Sequence, residues 1–451
     1  MIVPARILGV DGSVAPSNRI NLGFIGTGRQ VFHANLPWHL WSEETQVVAV
    51  CDVDSWRMEK ARAKVEEAYA AKSPSGTWKG CAMHQDFREL LARKDVDAVM
   101  ISTPDHWHAY MAIAAAKAGK DIALEKPISL SVAEGRAIAE AVKQHGRIFR
   151  TDTEVRAEER FLKLCQVVRN GRIGQVKRVF AGVPKDPAPL AQNPAPMPVP
   201  PELNYELWQG PAPARPYTEQ RVHYPKAGLD YTGKGPGWMH IRDYSLGVIL
   251  NWGTHILDIV QWALNTERTG PVEIEGEGEF PKDNLRDVLQ RFEVRYHYAS
   301  GIEVIYTNAG RPFVRVEGAE GWIENTWFKP DGFIASDEAL LQWKPGPNDV
   351  AFPLITEKQD FVNCIKSRKE TMIPAEIGHR TASMCQLGHI AIQSGAKLKW
   401  NPETERFVGN DEANKLLTRA HRAPWQLEAG SLLVEKLLKV LHALVDQGNT
   451  V

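Results

Sequence analysis

Two side chains in this sequence have the chemistry and the setting of catalytic groups. The first is His255, in residues 251–258, where a run predicted as a strand, Val248-Ile249-Leu250, meets a run predicted as a helix. An imidazole titrates near neutral pH, so we interpret His255 as a proton acceptor, a general base. The alternative interpretation is a structural histidine near the start of a helix.

The second candidate is Lys126, which stands at the end of a predicted strand between Glu125 and Pro127. An ammonium group in this position could donate a hydrogen bond to a substrate hydroxyl and assist its ionisation. A solvated surface lysine is the alternative. The choice depends on whether this strand end faces a cofactor site.

A nucleotide-binding pattern upstream favours the catalytic interpretation of both residues. An apolar strand, residues 19–25, leads into a turn whose predicted cofactor contacts are Gly26, Gly28, Arg29 and Gln30. Glycines let the backbone approach a pyrophosphate, and the amides of the following helix meet its charge. The third glycine of the G-x-G-x-x-G pattern is absent, because Val31 occupies its place.

Asp52 follows the second predicted strand, residues 47–51. An acid at this point can bond both ribose hydroxyls and repels a 2′-phosphate, so NAD is the favoured cofactor. Arg57 lies close by in the sequence and leaves NADP open. A turn former or a helix cap before Ser55 is the alternative role for Asp52.

Alternating strands and helices continue to about residue 150, which predicts a Rossmann domain with a parallel, doubly wound sheet. Ligands bind such sheets outside the carboxyl ends of the strands. Polar or turn-forming residues at two of these ends complete the predicted cofactor site: Thr103, Pro104, His108, Glu125 and Lys126. His106 and His108 could instead share a strand face and bind a metal, but no third ligand lies nearby, so we predict no metal site.

The 451 residues are enough for two or three domains. We predict an N-terminal arm (1–18), a dinucleotide-binding domain (19–150), an α+β domain for substrate binding and oligomerisation (151–427), and an appendage with an amphipathic helix (428–451).

The 54 basic and 55 acidic side chains nearly balance, which argues against nucleic acid as a partner. No apolar run is long enough to span a bilayer. The five cysteines are scattered and predict no disulfide framework.

The second domain begins with an unusual segment, residues 184–216, which contains eleven prolines. Such a segment predicts an irregular excursion or flap that could wall a cleft. The aromatic and histidine side chains that bracket it could stack on sugar rings or pack the loop itself: Tyr205, Trp208, Tyr217, His223, Tyr224 and Trp238. Beyond residue 272, alternating strands predict a large open, mainly antiparallel sheet. An open sheet needs covering, so we expect a homo-oligomer, a dimer or tetramer.

Together these motifs resemble the Gfo/Idh/MocA oxidoreductases, the family of glucose-fructose oxidoreductase and inositol dehydrogenase. The residues that carry the resemblance are Gly26 and Gly28, Asp52, Thr103-Pro104, Glu125-Lys126-Pro127, and the G-x-H-x-x-D of Gly253, His255 and Asp258. The resemblance implies a Rossmann domain, a C-terminal α/β domain and a pyridine nucleotide between them. It also implies that Lys126 is the active-site lysine and His255 the general base.

The chain departs from this family at Asn251, where many members have an aspartate four residues before the histidine. A neutral amide can orient an imidazole but cannot stabilise its protonated form by charge. We therefore include Asn251 in the predicted catalytic set. The opening residues 1–6 resemble the mature start of exported members, which implies a periplasmic or exported protein, with a cytoplasmic location left open.

The combined prediction is hydride transfer to or from a carbinol carbon of a small sugar-like substrate, with NAD as cofactor. We further predict substrate contacts from Arg156, Tyr244 and Asp258, although Asp258 could instead orient His255 or be a helix cap or an acid at the edge of the core. Three other functions stay open: a redox-neutral NAD-dependent enzyme that cleaves or epimerises glycosides, a metal hydrolase using His106, His108, His255 and Asp258, and a nucleotide-binding protein without catalysis.

Overall fold

The first half of the chain forms a six-stranded parallel sheet in the order β3-β2-β1-β4-β5-β6. The computed structural model describes residues 18–231, 235–308, 310–327, 329 and 331–427. The strands are β1 (Ile20–Ile25), β2 (Thr45–Cys51), β3 (Ala82–His84), β4 (Ala98–Ile101), β5 (Asp121–Glu125) and β6 (Phe149–Asp152). Most of their residues are buried on both faces, as expected for parallel strands that helices cover on each side. The order reverses between β1 and β4, so a ligand cleft opens at the carboxyl ends of these strands. The predicted Rossmann architecture is confirmed.

Helices connect these strands, and their starts follow from local capping. A π turn, Val31–Asn35, opens the first helix, and the helices of this half are α1 (Leu36–Trp41), α2 (Ser55–Ala70), α3 (Phe87–Leu91), α4 (His108–Lys117) and α5 (Val132–Gln144). The Asp54 carboxylate caps α2 by accepting hydrogen bonds from Trp56 N and Arg57 N. Ser131 and Glu134 form the capping box that their spacing predicts.

The second half is built around a nine-stranded sheet in the order β13-β12-β11-β7-β10-β9-β8-β14-β15. Its strands are β7 (Val176–Gly182), β8 (Glu273–Glu279), β9 (Arg291–His297), β10 (Glu303–Thr307), β11 (Phe313–Gly318), β12 (Trp322–Thr326), β13 (Phe333–Ala335), β14 (Leu398–Asn401) and β15 (Arg406–Phe407). Only the β7–β10 pair is parallel, so the predicted mainly antiparallel sheet is confirmed. Burial alternates along β9, as expected when one face packs on the core.

The helices of the second half are α6 (Glu159–Arg169), α7 (Tyr205–Gln209), α8 (Val248–Asn251), α9 (Gly253–Leu264), α10 (Glu338–Gln342), α11 (Glu357–Ser367), α12 (Ala375–Ser394) and α13 (Asp411–Lys415). Of these, α6, α9 and α12 pack against the central strands of the sheet. Almost every residue of α9 is buried, because the helix lies between the sheet, α6 and α12. The element that carries His255 is therefore held rigidly from several sides.

Two local predictions are wrong. The apolar run 248–250 is not a strand but most of α8, which stacks end to end with α9. A short apolar run does not distinguish a strand from a buried helix by periodicity, and here Gly247, with φ 75°, turns the chain while the Asp186 carboxylate accepts a hydrogen bond from Val248 N. The sequence of residues 400–408 also predicts an irregular segment, but this stretch contains the end of β14, the turn and β15, which form a hairpin.

The two halves are interlocked by helix α11, which returns to the first sheet. Phe361, Val362 and Cys364 of this helix are buried in the same apolar cluster as β1 and α2. The parallel sheet itself ends at Asp152, two residues beyond the expected domain boundary at 150. The predicted N-terminal arm up to residue 17 and the helix predicted over 428–451 lie outside the described residues. Among the described helices, none combines the length and apolarity needed to cross a membrane.

Candidate active site

A cavity of about 580 Å³ lies at the carboxyl ends of the parallel strands, between the two halves of the chain. This volume is typical of a small-molecule site. The glycine turn and Asp52 line one end, and Lys126 and His255 line the other. The predicted cofactor and catalytic residues therefore meet in one space.

The glycine turn fits the close approach of a ligand. Gly26 has φ +84°, and a β-carbon on it would lie 2.6 Å from the carbonyl oxygen of Ser102, so a side chain is excluded there. A β-carbon on Gly28 would meet no protein atom within 4 Å, because this residue faces the cavity. The space left above Gly28 is what a backbone-bound pyrophosphate requires.

Asp52 is tied to this turn through both carboxylate oxygens. Its Oδ2 accepts hydrogen bonds from Thr27 N (2.6 Å) and Thr27 Oγ1 (2.9 Å), and its Oδ1 accepts one from Asp54 N (2.9 Å). A carboxylate can accept about four hydrogen bonds. Asp52 thus keeps capacity for a ribose hydroxyl, which agrees with its predicted role.

Arg57 also lines this end of the cavity, but its guanidinium already has partners. Nη2 donates to the carbonyl oxygen of Ala227 (2.7 Å), and Nε lies 3.6 Å from the Asp54 carboxylate. His223 approaches the same carboxylate at 2.9 Å. Ala227 and His223 belong to the second half of the chain, so these contacts bring its loop against the nucleotide end of the cleft.

Arg29 and Gln30 contact the same loop farther along. The phenol of Tyr231 donates a hydrogen bond to Gln30 Oε1, and the Arg29 guanidinium lies 5.0 Å from the centre of the Tyr231 ring. Arg29 Nη2 also reaches Met239 Sδ at 4.0 Å. Tyr231 was not predicted as a site residue, because nothing in its local sequence indicates a contact with a turn about 200 residues away.

Thr103, Pro104, His108 and Glu125 all line the cavity, as predicted. The His108 ring is buried between two carbonyl oxygens, those of Pro127 (2.6 Å) and Thr103 (2.8 Å). Burial lowers the pKa of His108 to about 4 despite these acceptors. For Glu125, burial and then the charge of Asp152 raise the pKa to about 8, although Asn35 Nδ2 donates to it (2.9 Å).

Lys126 Nζ donates to Asn251 Oδ1 at 3.1 Å and lies 3.4 Å from the carbonyl oxygen of Asn251. The amide therefore orients the ammonium group without neutralising it. Lys126 is on the loop after β5 and Asn251 ends α8, so the pair joins the two halves of the chain. Their sequence separation hides this contact from any local pattern.

His255 lies near the start of α9 and is 6% exposed. Its Nδ1 is 2.5 Å from Thr153 Oγ1, and its ring meets the edges of Trp252 and Trp327 at centroid distances of 5.8 and 5.4 Å. Burial, and then the positive charge of Lys126, lower the pKa of His255 well below its usual value. The imidazole is consequently neutral near pH 7 and able to accept a proton.

Three predicted substrate residues do not line this cavity. Arg156 is buried and pairs with Asp258 through two hydrogen bonds (2.8 and 2.9 Å) and with Glu267 (2.7 Å). Tyr244 is fully buried and packs against Trp208. The Asp258 carboxylate is thus engaged by an arginine, and the group in contact with His255 Nδ1 is Thr153, which follows β6 directly.

The four residues of the metal hydrolase alternative are directed to separate partners. His106 Nε2 contacts the carbonyl oxygen of Trp208 (3.0 Å), and His108, His255 and Asp258 have the contacts given above. Within the described part of the chain, no group of three histidine, cysteine, aspartate or glutamate side chains could hold a metal ion.

The proline-rich segment walls part of the cavity, as the sequence suggested, through Leu207 and Trp208. Tyr205, Trp208 and Tyr217 pack in one apolar cluster, which supports loop packing for these three rings. Some lining residues were not predicted from the sequence, because only folding brings them to this cavity. Among them are Glu154, Glu158, Tyr231 and Trp327.

Comparison with solved structures shows the same fold at low sequence identity. The aldose-aldose oxidoreductase from Caulobacter crescentus, complexed with glycerol, has a TM-score of 0.62 and 17% identity, covering 84% of this chain and 99% of its own. The WlbA dehydrogenase from Bordetella pertussis, in complex with NADH and UDP-GlcNAcA, has a TM-score of 0.62 and 14% identity, covering 85% and 99%.

Curated relatives match over shorter stretches. An uncharacterized oxidoreductase, ORF334 of Rhizobium meliloti, is 29% identical over 177 residues, which are 39% of this chain and 49% of that protein. An alpha-N-acetylgalactosaminidase of Shewanella oneidensis is 32% identical over 176 residues, 38% of this chain and 37% of that protein. The chain thus spans about half, or less, of the length of these relatives.

Two domains of one oxidoreductase family account for most of the chain. Residues 20–153 match its NAD-binding Rossmann fold, and residues 191–427 match its C-terminal alpha/beta domain. The cavity between these domains holds the glycine turn, Asp52, Lys126 and His255. The chain therefore belongs to the Gfo/Idh/MocA oxidoreductase family and carries that family's NAD-binding domain.

Proposed function

We propose that this protein is an NAD-dependent oxidoreductase that acts on a carbinol carbon of a sugar or glycoside. The observation that carries the proposal is the shared cavity: its one end suits a dinucleotide, and its other end holds a neutral imidazole and an ammonium group. These are the groups needed to remove a proton from a hydroxyl while its carbon loses hydride.

Three residues have distinct roles in the proposed reaction. His255 accepts the hydroxyl proton, and the short contact between its Nδ1 and Thr153 Oγ1 leaves Nε2 as the accepting atom when Nδ1 carries the proton. Lys126 donates a hydrogen bond to the same oxygen and favours its ionised form. Asn251 holds Lys126 in place. Binding both groups in fixed positions lowers the entropic part of the barrier.

The cofactor would be held by the Gly26–Gly28 turn, by Asp52 at the ribose, and by the wall formed by Thr103, Pro104 and Glu125. When bound, NAD supplies the hydride acceptor. Arg57 lies beside Asp52 with its guanidinium already engaged by Ala227 and Asp54, which supports NAD over NADP.

The test has two parts. Mass spectrometry of the denatured, purified protein should detect NAD or NADH, and a screen of sugars and glycosides should identify a substrate that changes the nicotinamide absorbance. The variants His255→Ala and Lys126→Ala should each lose turnover by about a hundredfold or more, and His255→Ala, at a residue outside the predicted cofactor contacts, should retain the nucleotide. A protein that holds no nucleotide, or variants with unchanged turnover, would refute the proposal.

A second candidate is a redox-neutral enzyme that cleaves or epimerises glycosides and returns the hydride to the substrate. Two observations favour it: the similarity to an alpha-N-acetylgalactosaminidase, and the contacts of Tyr231 with Gln30 and Arg29 beside the glycine turn. A nucleotide beneath these contacts would exchange slowly. Product formation without net accumulation of NADH would favour this candidate, whereas one NADH per product would favour the dehydrogenase.

Assembly and location are also proposals. A homo-oligomer is supported by the open nine-stranded sheet, and light scattering of the purified protein tests it. A periplasmic or exported location rests on the resemblance of residues 1–6 alone, and cell fractionation tests it.

A further inference from the structure

Glu154 is a carboxylate that lines the reactive end of the cavity and has no place in the chemistry above. It follows Thr153, whose hydroxyl contacts His255, and it begins a 3-10 turn, Glu154–Ala157. Its side chain reaches solvent through the cavity that it lines, while the protein around the cavity partly desolvates the carboxyl group. A carboxylate in this position is available to a bound substrate.

A second carboxylate lies near Glu154 on the cavity wall. Glu158 lines the same wall one helical turn later. Asp152 and Glu357 act on Glu154 as like charges, and Lys126 as the opposite charge. Burial, followed by the charge of Asp152, raises the pKa of Glu154, although Asp152 pairs with Arg150 (2.6 Å) and Glu357 with Lys358 (2.5 Å). The site would gain from a ligand group that donates a hydrogen bond or carries a positive charge.

The cations that line the cavity have other contacts or roles. Lys126 donates to Asn251 and serves the reacting oxygen in the proposed reaction, Arg57 donates to Ala227, and Arg29 lies over Tyr231 beside the glycine turn. A carboxylate or phosphate on the substrate near Glu154 would meet like charge in a partly enclosed space, which weakens its binding. Recognition of anionic groups normally uses a free arginine fork, and the described lining residues near Glu154 supply none.

The geometry points to Glu154 as the residue that selects the substrate, admitting neutral and amino sugars and rejecting sugars that carry a carboxylate or phosphate. This inference rests on the proposed sugar oxidoreductase function. In the selected complex, Glu154 accepts hydrogen bonds from substrate hydroxyl or amino groups next to the carbon whose hydroxyl meets His255 and Lys126. Glu154 is a binding residue, with no proton transfer assigned to it.

The test is calorimetric titration of the purified, nucleotide-containing protein with matched sugars. The probes are the methyl glycoside, the 2-amino sugar and the uronate, each in both the gluco and the galacto series. We expect the uronate to bind at least about tenfold more weakly than the methyl glycoside of the same series. In Glu154→Gln this difference should shrink to about threefold or less, and the amino sugar should lose affinity.

The matched control is Glu159→Gln, which removes the same charge from an exposed position that does not line the cavity. It should preserve the tenfold difference. Nucleotide content and melting temperature, measured for all three proteins, should be equal. An altered nucleotide content or fold in Glu154→Gln would overturn the assignment by showing a structural role.

The remaining outcomes distinguish a failure of the Glu154 assignment from a failure of the proposed oxidoreductase function. If the uronate binds the unaltered protein as tightly as the neutral glycoside, or if Glu154→Gln keeps the discrimination, Glu154 is not the selecting residue and the oxidoreductase proposal stands. If the protein contains no nucleotide and binds none of the six sugars, both proposals fail together.

Discussion

At the scale of single residues, the site depends on how His255 is held. The group in contact with its Nδ1 is the hydroxyl of Thr153, at 2.5 Å, rather than a carboxylate. A hydroxyl can fix the tautomer and the ring orientation without adding charge. The imidazole therefore keeps the low pKa that burial and Lys126 impose.

Thr153→Val tests this positioning role. The change keeps the shape of the side chain and removes the oxygen, so the ring loses its tautomer preference and kcat should fall by roughly tenfold to a hundredfold. Thr153→Ser should restore most of the activity. Equal KM values would show that substrate binding is intact. Unchanged kcat in the valine variant would contradict the assignment.

Asn251→Asp tests the electrostatic role of the neutral amide. Because His255 acts when neutral, kcat/KM should fall as the pH drops through its lowered pKa, so the acid limb should lie below pH 6.5. A carboxylate beside Lys126 would offset the ammonium charge and raise the pKa of His255. The acid limb of the pH profile should therefore move to higher pH. A limb that stays in place would show that residue 251 acts on Lys126 alone.

At the scale of elements, the turn between β1 and α1 contains two glycines with different requirements. Gly26 is held against the backbone of Ser102 at positive φ, whereas Gly28 faces open space. The fold therefore requires a glycine at position 26, whereas at position 28 a glycine is required by the proposed ligand contact. A sequence pattern treats the two as equivalent.

The pair Gly26→Ala and Gly28→Ala separates these roles. Gly26→Ala combines a contact of 2.6 Å with unfavourable φ and should destabilise the protein by about 2 kcal/mol or more. Gly28→Ala should melt like the unaltered protein when the nucleotide is removed from both, and should bind NAD more weakly. Thermal unfolding and NAD titration provide the measurements. A Gly28 variant with normal NAD affinity would refute the assigned pyrophosphate contact.

At the scale of the whole molecule, ion pairs fasten the two domains to each other behind the cavity. Arg136 of α5 donates to Glu376 of α12 (2.6 and 2.9 Å) and to Glu405 beside β15 (2.9 Å to each oxygen). Burial alone would raise the pKa of Glu376, but the hydrogen bond and charge of Arg136 help lower it to about 2. These contacts help to fix the position of one domain, and so of one cavity wall, relative to the other.

Arg136→Met should lower the free energy of unfolding by about 2 kcal/mol at pH 7. Because the folded pKa of Glu376 is depressed, its contribution is complete above the unfolded pKa, near 4.5, and is lost as the pH falls toward 2. The difference between variant and unaltered protein should therefore shrink over that interval. Denaturant unfolding at several pH values measures it.

The control for this comparison is Lys415→Met, which removes a charge from an exposed pair with Glu412. Its effect should stay within about 1 kcal/mol. An equal loss of stability in both variants would mean that the Arg136 contacts contribute no more than a surface pair.

Much of this protein was determined by local sequence. Several features leave a pattern within a few residues, because strand burial, turn geometry and capping are local effects. They are the parallel sheet, the glycine turn, Asp52, the capping box of α5 and the proposed catalytic pair, Lys126 and His255. The cofactor-binding domain follows from these patterns. The apolar run 248–250 shows their limit, since burial on all sides removes the periodicity that distinguishes a helix from a strand.

Which polar groups contact each other depends on the tertiary structure. Thr153 and His255 are 102 residues apart, and Lys126 and Asn251 are 125 apart. Arg156 satisfies Asp258 in the interior, which keeps that acid away from the cavity, while Glu154 stays accessible within it. Long-range packing sets which charges are paired and which remain available, so the residues that we propose to orient His255 and to select the substrate become neighbours only in the folded chain.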